Sequence, residues 1–202
     1  MRCVFAKGIS NQRELSESSS AGSFILSVSN AKDYFNPGDL IFISDADGAN
    51  LEFLGAATSV TTDKIQCLYA LSLGRTTGAL CWKPTHFLTW SRKRTMPLTR
   101  TLDTGVISRR SAGGVLYLSK VRESSHSELV RFENLRMKQV ADFFSWLEEV
   151  INGGIEPFTF CDEDRQVSSV ALVTTEIVQD ETSSESIGLE LELARIETGQ
   201  YV

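Results

Sequence analysis

Two histidines, His86 and His126, and four cysteines, Cys3, Cys67, Cys81 and Cys161, are the side chains best suited to hold a metal or attack a substrate. A structural zinc site takes four clustered Cys/His ligands, and a catalytic one takes three plus an open position. No two cysteines stand at CxxC spacing, so such a cluster would have to be gathered from distant parts of the chain. Cys67 and Cys81 sit in apolar runs, where a free thiol packs as a small hydrophobe, and all four read as buried thiols. Neither histidine stands beside a nucleophile motif. The sequence holds no GxSxG, no P-loop and no GxGxxG.

Carboxylates offer a second chemistry. Glu156, Asp162, Glu163 and Asp164 gather around one predicted strand end. Paired carboxylates hydrolyse glycosides only in a cleft that raises one pKa, whereas Asp162-Glu163-Asp164 reads as a solvated turn after Phe160. Asp45-Ala46-Asp47-Gly48-Ala49-Asn50 partly resembles a calcium loop, but a helix-loop-helix site needs Glu at loop position 12, where Ala56 stands. The segment lies between strand patterns and reads as a tight turn. Aromatic rings offer a third chemistry, stacking on sugars. Trp82, Trp146 and Tyr69 are the candidates; Trp146 lies two positions beyond Phe144, off the main apolar stripe of its helix, and is expected to be a contact residue, with boundary packing as the alternative. The reading is therefore a chain that is not an enzyme and uses no metal or cofactor.

The elements that position these residues are legible in part. Ser16–Ser23 is small and polar, a linker. Phe24, Leu26 and Val28 alternate with Ile25, Ser27 and Ser29 as in a strand. Asn36-Pro37-Gly38-Asp39 is a turn, Leu40–Ser44 a short buried strand, and Asp47-Gly48 a hairpin turn leading into Asn50–Gly55. Lys64–Tyr69 and Leu80–Pro84 complete a small antiparallel β-barrel or sandwich over residues 20–86, preceded by an N-terminal strand. Residues 1–87 form the expected first domain.

Residues 88–202 form the expected second. Phe87–Trp90, Arg100–Leu102, Val115–Leu118 and Glu128–Glu133 read as strands, with Arg109–Gly114 as a loop. The period then changes: Met137, Val140, Phe144, Leu147 and Ile151 mark one face of a helix over 137–151, widened by Phe143 and Val150 and stopped by Asn152-Gly153-Gly154. Strands at 155–162, 169–173 and 186–194 follow, the last with Ile187, Leu189, Leu191 and Leu193 on one face. The fold class is α+β, mostly β, with an antiparallel C-terminal sandwich or barrel packed by one helix.

Charge is uneven along the 202 residues. Residues 1–91 carry 7 Lys/Arg against 8 Asp/Glu, residues 92–136 carry 10 against 4, and residues 137–202 carry 3 against 14. A basic stretch followed by a strongly acidic one suits head-to-tail association of copies, in which unlike surfaces meet. Pairing within one chain and two solvated faces are the competing readings. An acidic third repels nucleic acid, so no stable nucleic-acid binding is expected. No stretch approaches the ~18 consecutive apolar residues of a membrane span, and no N-terminal apolar signal segment is visible, so synthesis in a cytoplasm is expected.

The order of the C-terminal motifs carries a resemblance. A basic strand pair precedes Phe132-Glu133-Asn134-Leu135, the helix Val140–Ile151, Gly153-Gly154, Pro157-Phe158-Thr159-Phe160-Cys161-Asp162 and the closing Leu189-Glu190-Leu191-Glu192-Leu193. Over residues 90–197 this resembles the tail-tube-like domain of tailed bacteriophages, as in lambda-like minor tail proteins and distal tail (baseplate hub) proteins. Phe24–Val28 and Pro37–Ile41 resemble small β-modules of phage tail and fibre proteins. An extra ~85 residues precede the tail-tube-like region, unlike the lambda-like minor tail proteins. The resemblance implies a virion tail protein of a phage or prophage, made in the host bacterial cytoplasm, whose subunits sit side by side in a ring and touch other tail proteins. Expected subunit contacts are Arg92, Lys93, Arg94, Arg109 and Arg110 on one side and Asp162, Glu163 and Asp164 on the other. The alternative is a host-surface module that binds carbohydrate or protein, for which Trp82, Tyr69 and Trp146 are the binding candidates.

Overall fold

The computed structural model describes residues 3–90, 94–103, 106–110, 116–120, 125–162, 164–179 and 187–196. Antiparallel sheets dominate, with one α-helix longer than a single turn among the described residues. The chain divides into two compact units. The first comprises Met1–Ser91 and Phe158–Ser168, the second Arg92–Pro157 and Ser169–Val202.

In the first unit, six strands follow one another around a barrel. They are β2 (Ser10–Glu14), β3 (Ile25–Ser27), β4 (Leu40–Ser44), β5 (Glu52–Val60), β6 (Lys64–Cys67) and β7 (Leu80–Lys83), in the order β2-β7-β4-β5-β6-β3. Alternation decides which side chains enter it. Ile41 and Ile43 of β4 join Leu15, Leu26, Leu54, Ile65, Cys67 and Cys81 in the interior. Phe42 points the other way, onto Phe53 and Trp82. That is why Leu40–Ile43 is apolar without a break: β4 is buried on both faces.

The outward face is covered by three more strands: β8 (His86–Trp90), β1 (Cys3–Lys7) and β13 (Phe158–Cys161), with β1 in the middle. Val4, Ala6 and Cys161 pack on Phe42, Phe53 and Trp82. Phe5, on the opposite side of β1, is ringed by Trp90, Phe158 and Phe160 at centroid distances of 5.0, 6.1 and 5.2 Å. The strand expected at 155–162 is therefore β13, and its partner is the strand nearest the N-terminus, in register Val4↔Cys161 and Phe5↔Phe160.

The barrel stops short of closure. Between its end strands, β2 and β3, one backbone hydrogen bond crosses, from Ser16 N–H to Ser27 O at 2.9 Å. Beyond that point the chain leaves β3 for the one-turn helix α1 (Ala31–Tyr34). Asn11 Nδ2 donates to Tyr34 O at 2.8 Å, and the Arg13 guanidinium lies 3.4 Å from the Tyr34 ring centroid. Phe24 was read on one side of the strand with Leu26 and Val28, yet it is 50 % exposed while they are buried. It precedes β3, whose inward alternation starts only with Leu26.

In the second unit, β12 (Ser125–Leu135) is flanked by β9 (Arg94–Asp103) and β15 (Ile187–Arg195), and β15 pairs in turn with β14 (Val167–Gln179). Phe132 pairs with Leu189 and Val130 with Leu191, and all four are buried. Two further strands, β10 (Val106–Arg110) and β11 (Leu116–Lys120), form a separate ribbon. The helix α2 (Met137–Val150) lies near β15. It starts where the Gln139 side chain accepts the Arg136 N–H at 3.1 Å. Its buried face is Val140, Phe143, Trp146 and Leu147. This corrects the expected stripe: Met137 is exposed, Phe144 is half-buried and Trp146 turns inward. After the helix, Gly154 (φ +92°) sits so close to β14 that a Cβ there would lie 3.1 Å from Leu172 Cδ2. A glycine at this stop is required by packing as well as by its left-handed backbone.

Candidate functional site

The residues expected to touch neighbouring subunits fall in different settings. Arg92, Lys93 and Glu163 lie outside the described residues. Arg94 begins β9, in register with Phe132. Arg109 and Arg110 were expected in a loop, but they end β10, opposite Tyr117 and Leu116. Asp164 is exposed.

Asp162 corrects the reading of a solvated turn. It is 6 % exposed. Its Oδ1 accepts the Asp164 N–H at 2.9 Å and the Gln166 N–H at 2.8 Å, while its backbone exchanges hydrogen bonds with Arg165 and Gln166. The carboxylate therefore staples the β13–β14 connection. Arg165 (φ 66°) sits in that turn and donates from Nη1 to Ala70 O at 3.3 Å.

The aromatic candidates are packed. Trp82 stacks on Phe42 at 4.7 Å with planes 9° apart, and Trp146 stacks on Phe143 at 6.2 Å; both are 6 % exposed. Tyr69 is half-buried, edge-on to Phe53 at 6.3 Å, with Arg165 over its ring at 5.2 Å. Among the described residues, no exposed aromatic platform forms around Trp82.

The thiols are buried as expected. Burial pushes Cys67, Cys81 and Cys161 up to about 12, so none is a nucleophile at neutral pH. His86 lies exposed on β8. His126 lies in β12 opposite Leu102. Among the described residues, no three His, Cys, Asp or Glu side chains form a group able to hold a metal.

The strongest polar constellation was missed by the sequence reading. Arg75 is 3 % exposed. Its Nη1 meets Asp45 Oδ1 at 2.8 Å, and its Nη2 meets Asn50 O at 2.6 Å and Glu52 Oε2 at 3.2 Å. Glu52 Oε1 in turn accepts the Ser72 N–H at 2.6 Å. The Arg75 backbone exchanges hydrogen bonds with Ser19 at 2.8 and 2.7 Å. One guanidinium thus ties the 45–50 turn, the start of β5, the 70–79 loop and the linker together. A signal was present: Arg75 is the only charged residue between Lys64 and Lys83. An isolated charge in an apolar stretch has to find its partners elsewhere in the chain.

The 45–50 segment is the tight turn expected, with Gly48 N–H on Asp45 O at 2.9 Å and Ala49 N–H on Asp47 Oδ1 at 2.9 Å. The Asn50 amide, at 2.6 Å, and then Arg75 hold the Asp45 carboxyl below its ordinary 3.8. A lowered folded-state pKa contributes stability above the unfolded value and loses it as pH falls through the folded one. The urea midpoint of Asp45→Asn is therefore expected to lie below that of the natural protein at neutral pH. The gap narrows as pH drops below about 4; a gap unchanged down to pH ~2 would remove this role from Asp45.

No protein-family model matches the chain, and no curated protein matches it. Among solved structures, one similar chain comes from the tail of an empty GTA particle with C6 symmetry, at 10 % identity, covering 79 % of this chain and 91 % of that one with a TM-score of 0.31. With overlap that low, the fold assignment rests on the strand order and register described above.

Proposed function

We propose that this chain is a structural subunit of a phage-like tail, built to associate with further copies and with other tail proteins in a ring at the tail tip or baseplate, and that it catalyses no reaction. The observation that carries the reading is the β10–β11 ribbon. Its strands pair with each other over Val106↔Lys120 to Arg110↔Leu116, and among the described residues with no other strand. An isolated two-stranded ribbon is marginal in water, so it gains by docking on a further surface. Its sequence adds Arg109, Arg110 and Lys120 with no acidic residue, while residues 137–202 carry 14 acidic against 3 basic. A second copy supplies the opposite charge. The resemblance of residues 90–197 to tail-tube-like domains points the same way.

The test is solution mass against concentration, by light scattering, in low salt and in about 1 M salt, where the screening length is about 3 Å. The natural protein is expected to exceed its 22.4 kDa chain mass in low salt and to shrink toward it in high salt. Arg109→Glu combined with Arg110→Glu is expected to stay monomeric with an unchanged melting temperature. A double variant that associates like the natural protein would overturn the assignment of the ribbon.

A further inference from the structure

Four large apolar side chains of the first unit, Phe24, Ile25, Leu68 and Leu73, keep 46–50 % of their surface in water. They fall on two segments that lie side by side. Ile25 pairs with Gln66, the Cys67 N–H donates to Phe24 O at 2.8 Å, and Leu71 both donates to Ser23 O, at 2.9 Å, and accepts from the Gly22 N–H, at 2.8 Å. We infer that this rim of the barrel dips into a lipid surface, resting where headgroups meet acyl chains without crossing the bilayer.

Charge is the first argument. Between Glu17 and Lys32 no residue is charged, and between Lys64 and Lys83 only Arg75 is, buried in its own ion pairs. Entry into lipid therefore strips water from no ion on either segment. The exposed polar neighbours are Ser20, Gln66 and Ser72, uncharged groups that suit the headgroup layer.

The backbone is the second argument. Hydrocarbon offers no hydrogen bonds, so main-chain donors have to be satisfied before they approach it. The N–H groups of Gly22, Ser23 and Ile25 on one segment, and of Cys67, Leu68 and Leu71 on the other, all donate within the chain.

Area decides between lipid and protein, the two partners an exposed apolar patch can have. Four half-exposed side chains leave a few hundred Å² of apolar surface. A stable protein pair takes about 800 Å² from each partner, with a polar rim around the apolar centre. A bilayer needs neither a matched shape nor a rim, and gains with each apolar group it covers.

The chain carries a net charge of −6, so the probe is vesicles of neutral phosphatidylcholine, co-sedimented with the full chain in about 0.1 M and about 1 M salt. Binding is expected in both, because burial of apolar surface is not screened, while the ribbon-driven association fades in the higher one. Phe24→Ser combined with Leu68→Ser is expected to weaken vesicle binding at least about tenfold, with an unchanged melting temperature. Ile9→Ser and Phe87→Ser, which alter apolar side chains exposed elsewhere on the first unit, should leave binding as it was. A second measurement leaves the protein unaltered. In bicelles whose lipid chains carry a spin label, the amide signals of residues 22–25 and 66–73 should broaden first. No binding in about 1 M salt, a double variant that binds like the natural protein, control variants that bind as weakly as the double variant, or broadening centred elsewhere overturns the proposal. So does a dimer that forms in about 1 M salt without vesicles and that the double variant abolishes, since a second copy would then cover the patch.

Discussion

Arg75→Met is expected to lower the unfolding free energy by about 3–5 kcal/mol, because removing one partner of a buried ion pair strands the other. Glu52, with its side chain 8 % exposed, would lose its cation while remaining pinned to the Ser72 N–H. Asp45, at 35 %, still reaches water and adds less. Since a domain of this kind holds about 5–15 kcal/mol in all, the loss takes a large share of the total and is expected to lower the urea midpoint markedly. The comparison that isolates the cause is the pair Arg75→Met with Glu52→Gln. Taking away the stranded charge should recover much of the loss, seen as a urea midpoint well above that of the single variant. If both melt alike, the clasp acts by shape and not by charge.

The second large effect is expected at Gly55. The residue lies within β5 with φ +76°, and a Cβ there would stand 2.9 Å from both Leu68 Cβ and Tyr69 Cδ2. Gly55→Ala combines a left-handed backbone, worth about 1–3 kcal/mol, with overpacking worth a similar amount. Leu68 N–H and Tyr69 N–H both donate to β5, at Ala56 O and Leu54 O, so the neighbours are not free to retreat. Chemical denaturation is expected to show a loss of at least about 2 kcal/mol. An alanine variant as stable as the natural protein would mean that the 68–69 segment yields more readily than its hydrogen bonds suggest.

Local pattern made some elements readable and left others hidden. The unbroken Leu40–Ile43 run announced a short buried strand, and Ile187, Leu189, Leu191 and Leu193 announced an amphipathic one; all four of the latter are buried. The helix was legible in extent and in most of its inward face, since Val140, Phe143, Leu147 and Ile151 are buried, while Met137 and Trp146 were misplaced. Met137, the first residue of the helix, is exposed although Val140 one turn on is buried, and the stacking of Trp146 on Phe143 sets the rotation of the inward face. Asn50–Gly55 was read as the start of a returning strand, and pairing with β4 and β6 carries that strand on to Val60. The Arg75 clasp was invisible for a different reason. Its partners Asp45, Asn50 and Glu52 lie 23 to 30 residues away, and no periodicity reports such a distance. For the candidate interface, charge asymmetry identified the basic segment, while only the strand register showed that Arg109 and Arg110 belong to a self-paired ribbon.

The pairing of β1 with β13 sets an order on biogenesis. A ribosome delivers Cys3–Lys7 long before Phe158–Cys161, so a nascent chain has to hold Val4 and Phe5 half-covered while the 150 residues between the two strands emerge. Chains that terminate early, or fragments cut after Ser91, would carry an unzipped edge next to aromatic side chains, the kind of species that chaperones retain and that otherwise clumps.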